Sequence, residues 1–442
     1  MPGETYRVGR TGVWLARILL ASTVAAAAQP QELAPEVLQL AHIKAHMRRE
    51  LAQMPNYTCV ETIERFHKKA GRNASVKPVD TVRLEVAEIG NREMYSWLGG
   101  RNFRESSPVA FVGSGMIGSG MFSSDLRSLF VTNQATIAYV GVQDLGGRRA
   151  VQYSFRIPVF LSGYTIEVPG AKGIAGMRGW FWADPESLDV LHLEAHAEDV
   201  PPDLPMREAV TFVDYGRVRV GSRDVLLPQT GAIRTVEFSG VENRDLVEFT
   251  HCRSFGSEAT IRFDAPLSPV NASAGRVLPE ALETLPAGLP VSIRLSTPLS
   301  AKSTVGESIE GRVAGNVTRD GTVLIPDGAV VRGRVRRLEH YAQAGDYFIV
   351  ALEFDEVEAG GSLLRFYADL QSIEEGAGAQ WSLSFSPSRQ SQELGTRLRV
   401  DTFGFEKISV QDLPGVGTFF IQGTDFKLAK GFRMTWKTRA LK

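Results

Sequence analysis

The sequence predicts a mainly β protein of α+β type, with a curved antiparallel half-barrel and its leading helix followed by a small second β-barrel or sandwich. Three observations carry that prediction. One amphipathic helical stretch follows the apolar N-terminal run. Short alternating runs bounded by Gly, Asp and Pro then recur almost to the C-terminus, and a Pro- and Ala-rich interruption divides them into two sets.

At the N-terminus, Arg7 and Arg10 precede a mostly apolar run from Val13 to Ala28, broken only by the charge of Arg17 and ending in Ala26, Ala27 and Ala28. A basic flank, a short apolar centre and a small-residue site have the form of a secretory signal, assigned to residues 1–28. The uncharged part, Ile18 to Ala28, is well short of the roughly 20 residues that cross hydrocarbon as a helix. Cleavage is therefore expected, with a retained anchor or a buried helix as the alternatives. The first cysteine is Cys59, so the cleavage site has no acceptor for lipid attachment. The mature chain is expected to be periplasmic.

A length of 442 residues accommodates two domains with substantial cores. The expected division is a half-barrel at 29–264, a linker at 265–288 and a barrel at 289–442. Positive and negative residues nearly cancel, with 49 Lys and Arg against 50 Asp and Glu. That balance argues against a nucleic-acid partner, which calls for a basic surplus or stripe. Cys59 and Cys252 either form a disulfide, favoured by export, or remain two buried thiols.

The helix is predicted over Ala34 to Gln53. Val37, Leu40, Ile43, Met47 and Leu51 recur at spacings of three and four, Pro35 suits a first turn, and Pro55 stops the helix. Strands are expected at Tyr57–His67, Thr81–Ile89, Glu93–Trp97, Thr136–Gln143, Arg148–Arg156, Thr165–Val168, Met177–Ala183, Val190–Ala197, Arg207–Arg219, Ile233–Gly240 and Asp245–Phe263. After the interruption they resume at Pro290–Ser296, Ser308–Thr318, Thr322–Ile325, Val330–His340, Tyr347–Val357, Leu363–Ile373, Arg397–Val400, Gly417–Gln422 and Phe432–Lys437. Asp320-Gly321, Asp327-Gly328 and Gly360-Gly361 mark turns between them.

Two stretches resemble known families. Trp180-Phe181-Trp182-Ala183-Asp184-Pro185-Glu186-Ser187, running into Val190-Leu191-His192-Leu193-Glu194, reads as an aromatic strand, an Asp-Pro turn and an alternating strand. Together with the leading helix, Pro55 to Cys59, and Tyr215-Gly216 to Leu227-Pro228, it resembles the half-barrel of the LolA and LolB group of outer-membrane lipoprotein-sorting proteins. The resemblance covers about Pro35 to Asp264. It implies an antiparallel sheet wrapped partly round a helix, with an apolar concavity for acyl chains or another hydrophobic ligand. Phe181, Leu191, Leu193 and Phe212 are suited to line such a hollow, although aromatic residues at strand spacing also make ordinary core. The second domain and the missing lipid-attachment cysteine depart from that family.

Leu285-Pro286-Ala287-Gly288, Ser303 to Glu307, Val323 to Ala329 and Gly333-Arg334-Val335 resemble the β-barrel of TrbI/VirB-type type IV secretion proteins. The motif is architectural. Its glycines permit tight turns and Pro326 ends a strand, so no channel role carries over.

The chain has no phosphate loop, dinucleotide fingerprint, CxxC pair, HExxH or nucleophile elbow. His192, Glu194 and His196 alternate on one predicted strand face, but the two histidines stand about 13 Å apart at strand rise, too far to share one ion. His42 and His46 lie one helical turn apart without an evident third ligand. Glu353, Asp355, Glu356 and Glu358 read as an outward strand face. Arg332, Arg334 and Arg336, with Arg337 beyond, read as a solvated barrel face or, alternatively, a site for an anionic headgroup or partner. No cofactor or metal is expected and the chain is expected not to be an enzyme. The leading expectation is capture of a lipid or other hydrophobic ligand in the half-barrel, with an envelope protein as a further partner. The alternative is a structural or secretion-associated envelope interaction module without a small-molecule ligand.

Overall fold

The computed structural model describes residues 33–71, 73–100, 103, 108–112, 117, 121, 123–168, 171–255, 284–341, 346–373 and 415–440. The signal assigned to 1–28, the predicted strand Arg397–Val400 and most of the 265–288 linker lie outside them.

The leading helix α1 spans Pro35–Ala52, with Pro35 in the first turn, where the missing N–H costs nothing. Twelve strands follow: β1 (Tyr57–Lys68), β2 (Val76–Ile89), β3 (Arg92–Trp97), β4 (Thr136–Leu145), β5 (Arg148–Ile157), β6 (Thr165–Val168), β7 (Ala171–Ile174), β8 (Gly176–Ala183), β9 (Val190–Glu198), β10 (Met206–Val220), β11 (Arg223–Glu237) and β12 (Glu242–Ser254). A second helix, α2 (Ser124–Phe130), precedes β4. Ten of these strands form one antiparallel sheet in the order β3-β2-β1-β12-β11-β10-β9-β8-β5-β4, while β6 and β7 make a separate hairpin. The sheet curls into an incompletely closed half-barrel around α1, leaving β3 and β4 as its two edges.

The helical stripe explains the packing. Ile43, Met47 and Leu51 are buried on the concave face, whereas Val37 at the first turn is 48% exposed. The apolar stripe of α1 thus extends beyond the core it packs into.

The sequence missed α2 and β7, and it started β11 ten residues late. Pro228 sits inside β11 opposite Tyr215, next to a register shift after Asp214. A bulge is where a sheet tolerates a residue without an N–H, so the proline does not end the strand. Cys59 and Cys252 are bonded to each other and join β1 to β12, 193 residues apart in sequence. The pairing skips from Thr58–Arg253 to Val60–Thr250, and His251 takes a positive φ of 51° at this bulge.

The second half of the chain contributes β13 (Pro290–Leu295), β14 (Leu299–Ser300), β15 (Ser308–Val313), β16 (Val317–Arg319), β17 (Thr322–Ile325), β18 (Val330–Tyr341), β19 (Tyr347–Ala359), β20 (Ser362–Arg365), β21 (Ala368–Ile373), β22 (Val416–Gln422), β23 (Lys427–Leu428) and β24 (Arg433–Thr438). Their main sheet runs β20-β19-β18-β15-β13-β24-β21, with β22 also paired to β19. It bends until β22 meets β21. At Gly417 an added Cβ would lie 2.5 Å from Leu370, so only glycine permits that approach.

The two halves share a seam. Val305 accepts a hydrogen bond from the Arg83 N–H and donates one to the Thr81 carbonyl, each at 2.9 Å. Arg334 and Arg336 lie over the Trp97 ring of β3, with guanidinium carbons 5.7 and 5.2 Å from its centroid. Arg336 also donates to Glu353 at 2.6 Å. The basic run read as a solvated face therefore corresponds in part to a clamp between the sheets. Cation–π contact and ion pairing already engage these two guanidinium groups.

Candidate functional site

The concave face of the half-barrel is occupied by the chain's own side chains. Ile43, Met47 and Leu51 come from α1, and Leu126, Leu129 and Phe130 from α2, all at most 1% exposed. Phe130 meets Phe181 edge to face at 5.2 Å, and Phe181 stacks on Tyr153 at 5.3 Å. The Tyr153 hydroxyl donates to the Glu36 carbonyl at 3.0 Å, tying the start of α1 to β5.

The four residues expected to line a ligand hollow separate onto two faces. Phe181 and Leu193 pair across β8 and β9 and are fully buried in this concave core. Leu191 instead joins Ala150 and Trp182 in a small cluster on the convex side. The cause is a bulge: Ala183 pairs with Val190 but Trp182 with His192, so Leu191 is the extra residue and loses the parity it would share with Leu193. Phe212 pairs with Glu194 and also faces outward, its ring 6.5 Å from that of His192.

On the convex side each histidine has its own carboxylate. His192 Nδ1 lies 2.6 Å from Asp214 and His196 Nε2 2.6 Å from Glu194. The hydrogen bond from His192 holds the Asp214 carboxyl below its ordinary range. His46 on α1 lies 2.8 Å from Asp189, which also accepts two hydrogen bonds from Arg217. Burial alone would raise Asp189, but the Arg217 and His46 contacts prevail and lower it. The His46–Asp189 pair fastens α1 to the sheet. Among the described residues, no group of three or more His, Cys, Asp and Glu is placed to hold a metal ion.

Carboxylates missed by motif reasoning line the interior near β1 to β3. Burial, reinforced by Glu93, pushes Glu61 and Asp125 each up to about 8. Glu88 accepts from the Ser123 hydroxyl at 2.9 Å, while Glu93 accepts from the Ser123 N–H at 3.2 Å and from the Tyr95 hydroxyl at 3.0 Å. This acidic group pins the start of α2 against β3 and so covers one sheet edge, where Tyr95 and Ser96 are buried.

The other edge is open among the described residues. No residue of β4 is buried, and Tyr139, Val140 and Val142 are 43%, 49% and 46% exposed. Tyr139 packs edge to face on Tyr153 at 5.6 Å, so the exposed start of α1, with Leu33, Val37 and Leu38, adjoins the same flank. Singly exposed apolar residues are ordinary, but a contiguous patch marks an interaction surface. The patch combines a helix end with a strand that no other strand pairs on its outer side among the described residues, so it offers both apolar area and hydrogen bonds.

No protein-family model matches the chain, and no curated protein does. Among solved structures, a putative outer membrane lipoprotein-sorting protein domain from Vibrio parahaemolyticus aligns at 10% identity, over 50% of this chain and 93% of that one, with a TM-score of 0.28. A LolA superfamily protein from Nitrosomonas europaea aligns at 8% identity, over 49% and 93%, with a TM-score of 0.27. ComB10 of the Com type IV secretion system of Helicobacter pylori aligns at 14% identity, over 36% and 88%, with a TM-score of 0.20. The likeness is distant and concerns the curled sheets alone.

Proposed function

We propose that the mature chain is a non-enzymatic interaction module of the periplasm that binds through the open flank of its half-barrel. The observation that carries this reading is the contrast between a concave face filled by α1 and α2 and an apolar edge left exposed at β4. The predicted signal at 1–28 supports the compartment. A photo-crosslinking residue at Val142 in cells tests the function, with a protein adduct as the expected result. Adducts to lipid alone would reject it.

The second reading, capture of a lipid or other hydrophobic ligand, is favoured by the same exposed start of the α1 stripe. Between Tyr139 and Phe181 stands the Tyr153 ring, which an acyl chain lying along Val37 and Tyr139 would have to displace to reach Phe181. Native mass spectrometry of the protein purified from its own compartment separates the two readings. A stoichiometric amphiphile, together with uptake of a fluorescent fatty acid, would establish capture and displace the first reading.

A further inference from the structure

We infer that the seam between the two halves is a proton-operated latch: Arg65 bridges to Glu339 while Asp245 keeps a proton, and the bridge loosens when that proton leaves. The latch is independent of what the half-barrel binds. Its frame is the backbone of β2. The edge strand β3 pairs with β2 only from Leu84 onward. On the flank before it Val305 pairs in parallel with Val82, through its hydrogen bonds with Thr81 and Arg83. Asp80 is the next residue along β2.

Arg65 stands between two aspartates. It lies directly opposite Asp80 on β2 and Asp245 on β12, and residues so paired share one face of the sheet with Cα atoms about 4.5 to 5.5 Å apart. All three side chains are buried. Asp80 accepts from Arg65 Nε at 2.6 Å and from a second guanidinium nitrogen. From the other half, Glu339 approaches the same guanidinium to 3.8 Å while accepting from Arg337 and Tyr341. Two arginines thus face three carboxylates, and a third buried charge without a counter-charge is costly. One proton therefore stays in the group. Burial raises the Asp80 carboxyl, but its hydrogen bonds from Arg65 hold it down. Burial pushes Asp245 up to about 7, against the pull of Arg65 and with Asp80 adding to the rise. The other groups facing Asp245 are Glu61 and His67 on β1, the latter 3.1 Å from Asn243, and Ile233 directly opposite on β11. None of them is a permanent cation.

Once ionised, Asp245 competes for Arg65 from within the half-barrel. The Glu339 contact is the longest of those around Arg65 and Glu339 named above, so the link between the halves yields first. Opening the seam takes Glu339 away and lets Asp245, beside Arg65, return toward the ordinary carboxylate value near 4. Opening thus releases a proton. Its equilibrium constant rises by up to about tenfold per pH unit until the closed form itself ionises near pH 7, and there it levels.

Hydrogen exchange at the Arg83 and Val305 amides of the purified mature chain, corrected for the intrinsic rate at each pH, tests this. Between about pH 5 and 7 their protection is expected to fall about tenfold or more relative to the amides of β8 and β9, and to level by about pH 8. Asp245→Asn, neutral at every pH, should keep the acid level of protection throughout. Glu339→Gln should give low protection that no longer changes with pH, because the bridge it carries is gone. Wild-type seam protection that is flat over this range, or that falls in step with β8 and β9, overturns the inference. A fall of equal size in Asp245→Asn overturns it as well.

Discussion

Arg65 on β1 and Glu339 on β18 belong to different sheets, yet their charged groups lie 3.8 Å apart with both side chains buried. Asp80 completes the pairing on one side, accepting from Arg65 at 2.6 Å. Arg337 and Tyr341 donate to Glu339 on the other, at 2.7 and 2.6 Å. Each half supplies one arginine and one carboxylate, Arg65 with Asp80 and Arg337 with Glu339, and the Arg65–Glu339 contact joins the two pairs where water is excluded.

Removing one member of that group leaves uncompensated charge in the seam. Glu339→Ala is expected to cost about 3 to 5 kcal/mol, the range for breaking a buried ion pair from one side. Urea denaturation followed by tryptophan fluorescence checks it. A loss below 1 kcal/mol would mean that water reaches Arg65 and the seam opens in solution.

The buried acids set the pH dependence. Glu61 and Asp125 titrate at about 8 and Asp245 at about 7 in the folded chain, in each case chiefly because burial disfavours the charged form. Their unfolded values lie near 4, so across the interval between, the folded state holds more protons than the unfolded. Their contribution is complete below pH 4 and is lost as pH rises to 8, at about 1.4 kcal/mol per pH unit for each group inside its window. Asp189 and Asp214 act in the opposite sense, since their lowered values give stability that disappears as pH falls through the acid range. The stability maximum is therefore expected near pH 4. Asp125→Asn should flatten the alkaline slope, and thermal melts from pH 4 to 9 measure it.

The disulfide closes a long loop. With a sequence separation of 193 from Cys59 to Cys252, the chain-entropy model assigns it about 5 kcal/mol. Cys252→Ser should lower the denaturation midpoint accordingly, and reductant should have the same effect on the wild type and none on the variant.

Much of this architecture was legible in the sequence because period and punctuation agreed. The stripe from Leu40 to Leu51 and the alternation of β8 and β9 are strong local signals, and the Asp-Gly turns lie where strands reverse. What escaped was local structure governed by distant contacts. At seven residues α2 is too short to stand out, though Leu126, Leu129 and Phe130 carry helical spacing, and it is held by Glu88 and Glu93 from far along the chain. Leu191 lies on the convex side for a related reason: one bulge reverses parity, and no residue type announces it. The availability of β4 was also hidden, because TIAYVGVQ reads the same whether it is central or at an edge.

The same parity argument separates two phenylalanines. Phe130 is fully buried against Phe181 on the concave side, so Phe130→Ala should cost about 3 to 5 kcal/mol and leave a void. Phe212 is half-buried on the convex side, and Phe212→Ala should cost less than about 1.5 kcal/mol, in proportion to the smaller area it covers. The void itself is informative, because a dry apolar cavity binds small apolar molecules. If α1 and α2 fill the hollow, a small fluorescent apolar probe should bind the Phe130→Ala chain and not the wild type. Equal uptake by both would mean that the concavity is already accessible, and the balance would shift from a docking module to a carrier.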